Sequence, residues 1–307
     1  MIRAVAALAS FVMLGGCSAD SDTADGAQAR PACAALTAGA MRWVPSGRFI
    51  MGENPHYPEE GPPKRVEVSG FWMDTHELTN DEFAAFVAAT GYKTVAEQPP
   101  PTLPDAPPEM AEPGSATFAA PTQDDARWWR WSVGAQWRHP SGPAESIAGQ
   151  GRAPVVQIAY ADALAYAKWA RKDLPTEAQW EYAARAGKPM DEHPVDARGR
   201  PAANTYQGVF PVRNLGTDGY VGRAPVGCFA PNAFGLYDMI GNVWEWTRDP
   251  GDPRLVTGII KGGSYLCAAN YCARYRPAAR QFQERSLGTD HIGVRLVDNH
   301  RPPPHHN

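Results

Sequence analysis

The period of the apolar positions changes several times along this chain, and each change marks an element. From Arg65 to Val68 apolar and charged residues alternate, which predicts a half-buried strand. Ser46 to Gly52 reads as a turn running into a strand, and Phe71-Trp72-Met73-Asp74 as another strand. At Thr79 the period lengthens. Phe83, Phe86 and Val87 fall on one helical face, Thr79 and Glu82 make a capping box, and Gly91 supplies the stop. A second helix is predicted over 161–171. A third starts at Pro175, with Thr176 and Gln179 as its cap pair and Gly187 as its end. Elsewhere the pattern breaks. Pro, Ala and acidic residues from Glu97 to Asp125 predict a surface loop without regular elements, and 191–220 reads as irregular, glycine-bearing chain. Trp128, Trp129, Trp131 and Trp137 either pack in the core or line a groove, and their spacing favours the core.

The N-terminus has a different character. Arg3 precedes an apolar run from Ala4 to Leu14 that is too short to cross a membrane as a helix. The run ends in Leu14-Gly15-Gly16-Cys17, which resembles a bacterial lipobox. That resemblance implies cleavage before Cys17 and lipidation of Cys17, and Ser18 in the next position favours the outer membrane. An ordinary secretory signal is the alternative. On either reading the mature protein faces the periplasm or beyond, where disulfides are permitted. The expected organisation is a signal peptide (1–16), a lipidated flexible tether (17–40), one catalytic domain (41–298) and a disordered tail (299–307).

Composition refines the picture. With 29 Gly, 30 Pro and 10 Trp in 307 residues, the chain suits a loop-rich fold packed by rings rather than by long helices. A net charge of -4 with no basic stripe argues against nucleic acid as a partner. Five cysteines are too few for a disulfide-built scaffold of this length.

Cysteine placement is the sharpest chemical signal. Lys261 to Arg280 holds Cys267 and Cys272 after a Gly262-Gly263 turn, flanked by Tyr265 and Tyr271 and followed by Arg274, Arg276 and Arg280. Spacing and compartment alone favour a plain disulfide for this pair. Thiolates are also soft ligands that select Cu(I), whereas a closed zinc site wants four ligands that this segment lacks. Cys33 and Cys228 remain, and their pairing is open.

Several segments together carry a family resemblance. Asp173-Leu174-Pro175-Thr176-Glu177-Ala178-Gln179-Trp180-Glu181-Tyr182-Ala183, Gly235-Leu236-Tyr237-Asp238, Gly241-Asn242-Val243-Trp244-Glu245-Trp246 and Gly293-Val294-Arg295 are similar to the formylglycine-generating enzymes, the sulfatase-modifying factors. Gly262 to Cys267 with Tyr271 to Arg276 resembles their catalytic stretch and is the more specific match. The resemblance runs from about Trp43 to Val297. It implies a single α+β, loop-rich, C-type-lectin-like domain. It also implies a copper-dependent oxidase that uses O2 and a reductant to convert a cysteine in the Cys-x-Pro-x-Arg segment of a sulfatase polypeptide to Cα-formylglycine.

Site residues follow from the same resemblance. Cys267 and Cys272 would hold Cu(I). Ser264, Tyr271 and Trp244 would stand near the oxygen and the substrate sulfur, and Arg280 at the substrate groove. Structural Ca2+ would be held in one site by Asn204, Thr205, Asp218 and Tyr220. A second would use the side chains of Asp238 and Glu245 with the carbonyls of Gly241 and Val243, since oxygen ligands from glycine-rich loops suit that ion. Membrane contact would be through the lipid anchor only, and the protein a monomer. His291 stands where the family usually has Asn, which bears on peptide preference. The competing reading is a non-catalytic, lipid-anchored binding or scaffold protein of the same fold. An iron-dependent member would need a histidine cluster that the early helix lacks.

Overall fold

Frequent prolines and glycines interrupt backbone ladders, so short strands and long connections are expected, and the computed structural model has both. It describes residues 32–101, 107–188 and 195–304. The predicted signal segment and Cys17 lie outside the described residues.

In chain order the strands are β1 (Met41–Val44), β2 (Gly47–Met51), β3 (Lys64–Val68), β4 (Phe71–Asp74), β5 (Gly114–Phe118), β6 (Trp129–Val133), β7 (Gly208–Val209), β8 (Arg213–Asn214), β9 (Trp244–Pro250), β10 (Thr257–Lys261), β11 (Gln281–Glu284), β12 (Ile292–Gly293) and β13 (Val297–Asp298). Helices are α1 (Asn80–Thr90), α2 (Tyr160–Ala170) and α3 (Glu177–Arg185). One sheet has the order β1-β4-β13 and another β11-β10-β9-β12, with β12 parallel to β9. Three hairpins complete the set: β2-β3, β5-β6 and β7-β8.

The helix ends follow the local chemistry. The Thr79–Glu82 capping box forms, and Gly91 closes α1 at φ 66°. Thr176 and Gln179 cap α3, but the left-handed residue that ends it is Ala186, one position before the expected glycine. α2 starts at Tyr160, because Asp162 accepts from Ala159 N at 2.7 Å and so caps the first turn.

Two stretches expected to lack elements contain them. β5 forms inside the proline-rich 97–125 segment, since its partner strand places Trp131 opposite Ala116 and Trp129 opposite Phe118. Ser115 Oγ also donates to Gly288 O at 2.7 Å, which ties the hairpin to the chain just before β12. β7-β8 arises in the glycine-bearing 204–220 region. The tail expected to be disordered meets β4 at Arg301 and Pro302: Trp72 Nε1 donates to Pro302 O at 2.9 Å and Arg301 stacks on Trp72. The end of the predicted tether is also fixed, by the Cys33–Cys228 disulfide and by Ala34 N donating to Gly227 O at 2.8 Å.

Two of the three apolar clusters among the described residues hold the scaffold, the third gathering Tyr206, Leu266 and Ala268. The larger joins Phe83, Phe86, Trp137, Ile158, Trp244 and Trp246, and Cys267 belongs to it. The smaller joins Val44, Phe71, Met73 and Val297 of the first sheet to Trp180 of α3. A buried ion pair binds the two sheets. Arg295 donates to Glu245 on β9 at 2.8–3.0 Å and to Tyr237 O at 2.8 Å, while Trp180 Nε1 donates to Glu245 at 2.6 Å. Glu77 reaches the same region and accepts from Asn242 Nδ2 and Val243 N. Burial, then the charges of Asp238 and Glu245, push the Glu77 pKa well up.

Removing the guanidinium would leave buried carboxylates uncompensated. Arg295→Met is expected to cost about 3–5 kcal/mol, read as a fall in the urea midpoint of unfolding. An unchanged midpoint would remove the ion pair from its bracing role.

Candidate active site

The turn before the cysteines depends on its two glycines. Gly263 has φ +73°, and a Cβ there would stand 2.6 Å from Tyr275 Cα. Gly262 has φ +96°, and its Cβ would meet the Trp180 ring at 2.9 Å. The turn delivers Ser264 into full burial, where its Oγ accepts from Leu266 N at 3.2 Å and its N–H donates to Cys267 Sγ at 3.4 Å.

Cys267 and Cys272 are free thiols with sulfurs 3.8 Å apart, far beyond the ~2.05 Å of a disulfide bond. Cys267 is buried and Cys272 half-buried. The hydrogen bond between them separates their proton affinities. It pushes the Cys267 pKa well up, with burial and the charge on Cys272 acting the same way. On Cys272 the same bond lowers the pKa to about 6 against burial, helped by Arg274 through its backbone and guanidinium. The pair is unbridged, and Cys272 holds its proton less tightly than Cys267.

A run of ring contacts starts at Tyr271, next to Cys272 in the chain, and makes an aromatic rim that reaches Trp129 through Phe210 and Phe118. Tyr271 is 55% exposed, stacks on Phe210 at 4.8 Å and meets Trp128 edge-on at 5.5 Å. Trp129 lies 4.9 Å from the His291 ring. The tryptophans therefore divide: Trp137 packs in the core as expected, whereas Trp128 and Trp129 belong to the rim. His291 is buried, bonds Thr289 Oγ1 at 2.6 Å, and is held neutral by burial, with its pKa lowered to about 3. A cleft of about 250 Å³ opens beside the loop, between Tyr206, Gly208, Asn270 and Tyr275.

Trp244 sits fully buried in the apolar cluster that includes Cys267. Arg280 is half-buried, with Nη1 on Glu177 at 3.0 Å and Nε on Glu59 O. Three residues that local sequence reasoning missed complete the surroundings. Tyr57, Glu59 and Glu60 come from a segment more than 200 positions away and meet Ala273, Arg274 and Arg276. Asp290 was missed too: its Oδ1 has no hydrogen-bond partner and burial raises its pKa to about 7.

The donor sets can be tested against the implied metals. Two soft sulfurs side by side suit Cu(I). For the first calcium set, Asp218 is fully buried and accepts from Thr205 N and Tyr220 N, and Asn204 Oδ1 is a buried acceptor without a partner. That orphan oxygen, on the residue before Thr205, suits a hard cation, while Gln207 Nε2 donates to Asp218 Oδ2 and to Thr205 O. In the second set the acidic side chains are already paired: Arg295 and Trp180 engage both carboxylate oxygens of Glu245, and Asp238 accepts from Gly227 N.

A paired-thiol site under an aromatic rim, on short sheets braced by buried charge, defines a loop-rich α+β protein of the sulfatase-modifying type. The chain belongs to that family: residues 27–300 match the sulfatase-modifying factor enzyme 1-like domain. It is 47% identical to the formylglycine-generating enzyme of Mycobacterium tuberculosis over 287 residues, spanning 83% of this chain and 96% of the relative. Identity to the Mus musculus formylglycine-generating enzyme is 40%, over 84% of this chain and 75% of the relative. Identity to the inactive Cα-formylglycine-generating enzyme 2 of the same species is 34%, over 85% and 86%. Among solved structures, PvdO from Pseudomonas aeruginosa shares the fold, with a TM-score of 0.61 at 25% identity over 84% of this chain and 93% of that one.

The split thiol affinities are directly measurable. In the reduced protein, iodoacetamide should modify Cys272 with a half-maximal rate at a pH of about 6, while Cys267 resists throughout the neutral range. Equal labelling of both cysteines would contradict the assignment.

Proposed function

We propose that this protein oxidises a cysteine in the Cys-x-Pro-x-Arg segment of a sulfatase polypeptide to Cα-formylglycine, with O2 as oxidant and a thiol as reductant. The observation that carries the reading is the pair of free cysteines, 3.8 Å apart and close under the aromatic rim, in a chain 47% identical to a formylglycine-generating enzyme. Turning the Cys CH2–SH into an aldehyde is a two-electron oxidation with loss of the sulfur as sulfide. Reducing O2 takes four electrons, so the reductant supplies the other two. Cu(I) on Cys267 and Cys272 would supply the O2 chemistry that no unaided side chain provides.

The chain's own residues prepare that chemistry. Burial of Cys267 and Trp244 keeps the floor of the site dry, which strengthens every polar contact there. Ser264 keeps its hydroxyl at the turn, beside the thiols. Tyr271, exposed and backed by Phe210 and Trp128, offers a ring face to an incoming peptide and a phenol near the reacting sulfur. Arg280, proposed to meet the substrate, is pinned by Glu177 and by the Glu59 carbonyl.

The first calcium set, Asn204, Thr205, Asp218 and Tyr220, is proposed to hold a structural Ca2+. The Cys33–Cys228 disulfide supports a compartment outside the cytoplasm, consistent with a periplasm-facing lipoprotein anchored at Cys17. A non-catalytic binding protein is the second reading, and the 34% likeness to a relative named inactive keeps it in view. The thiol pair favours the enzyme, because a binding surface has no use for two unpaired cysteines in an oxidising compartment.

Mass spectrometry decides between them. Copper-loaded protein, O2 and a thiol reductant should convert a Cys-x-Pro-x-Arg peptide to the aldehyde. Cys267→Ser and Cys272→Ser should bring conversion down to the level without protein. Failure of the parent would favour the binding protein, and full activity in either variant would remove that cysteine from the reaction. Calcium has its own readout: EGTA should lower the melting temperature of the parent but leave that of Asn204→Ala unshifted, since only a native-state ligand stabilises by mass action. Equal shifts in both would remove calcium from that site.

A further inference from the structure

Beyond its effect on the Cys272 proton, Arg274 is the cation whose hydrogen bond ends on a reactive sulfur. Its Nη1 donates to Cys272 Sγ at 3.9 Å. The rest of the guanidinium is immobilised. Nε and Nη2 both donate to Glu59 Oε1, at 2.9 and 2.6 Å, and the plane stacks on Tyr57 with Cζ 3.9 Å from the ring centre. Tyr57 is fixed in turn, because its hydroxyl accepts from Ala273 N at 3.1 Å. Residues 57–60 thus grip the cysteine segment from outside. Glu60 takes Arg276 and the Glu59 carbonyl takes Arg280.

Two thiolates around one Cu(I) carry a net negative charge, and Cys267 brings that charge into an apolar cluster. Buried charge is costly unless it is paired. A guanidinium suits the task better than an ammonium. It is weakly hydrated, and its planar fork can spend two N–H groups on a carboxylate and still direct another at the sulfur.

We propose that Arg274, braced by Glu59 and Tyr57, is a positioning residue that neutralises the copper-bound thiolate pair and aims Cys272 Sγ at Cys267 Sγ. This rests on the copper reading above. The brace, rather than the cysteines alone, then sets how tightly the pair holds Cu(I).

The test is Cu(I) affinity of the reduced full chain, measured without O2 by competition against bicinchoninate. The parent should bind one Cu(I) per chain. Arg274→Met keeps the bulk, removes the charge, and should weaken Cu(I) binding by about 10- to 100-fold, the usual loss for an outer partner of a metal ligand. Arg274→Lys should recover part of that loss, which mere repacking would not produce. Glu59→Gln leaves the guanidinium but loosens it, and should weaken binding less than Arg274→Met. If Arg274→Met fails to fold, Glu59→Gln decides alone, and parent-like affinity overturns the proposal. Parent-like affinity in a folded Arg274→Met overturns it while leaving the copper site intact. Absence of Cu(I) binding in the parent overturns the copper reading and this inference together.

Discussion

The ion pair of Arg295 with Glu245 is the constraint on which the rest of the structure depends. A chain with this many prolines and glycines makes few long ladders, so its segments need other means of registering against one another. Arg295 answers that need by bonding a carboxylate on β9 and the carbonyl of Tyr237 from one fully buried position. Trp180 brings α3 to the same carboxylate. Such pairs add little net stability over an apolar core, but they admit only one arrangement. Here that arrangement sets β9 against α3, and β9 is the strand that carries Trp244 toward the thiols.

Charge is handled in a similar way around the cysteines. Arg274, Arg276 and Arg280 follow Cys272 at short intervals, and each finds an acceptor: Glu59, Glu60, or Glu177 together with the Glu59 carbonyl. An unpaired run of arginines would repel itself and leave the loop mobile. Paired, it becomes a clamp between two parts of the chain that local structure never brings together.

Much of the scaffold was legible because its signals are local. The Thr79–Glu82 box and Gly91 bound α1, and the alternation at Arg65–Val68 gave a strand, because each depends on neighbours a few positions apart. β5 was hidden because its stability lies in Trp129 and Trp131 across the hairpin, and a proline-rich context masks that. Cys267 and Cys272 stood out as a pair since both lie on one turn. The Tyr57–Glu59 brace did not, because it joins positions 215 apart and acidic residues near a proline look like ordinary surface. The tryptophan run was half legible: spacing cannot separate Trp137, which is sealed in the core, from Trp128, which faces Tyr271. The bond from Arg295 to Glu245 was not legible either, because it joins positions 50 apart and both residues sit in separate motifs.

The disulfide near the N-terminus has a mechanical side. Cys33 is covalently joined to Cys228 eight residues before β1 begins, and Ala34 is bonded to Gly227 beside it. A pull arriving through the residues ahead of Cys33 meets a covalent path across the sulfur bridge into the Gly227–Cys228 turn, so the load is shared between that bridge and the segment leading into β1 instead of falling on the β1–β4 hydrogen bonds alone.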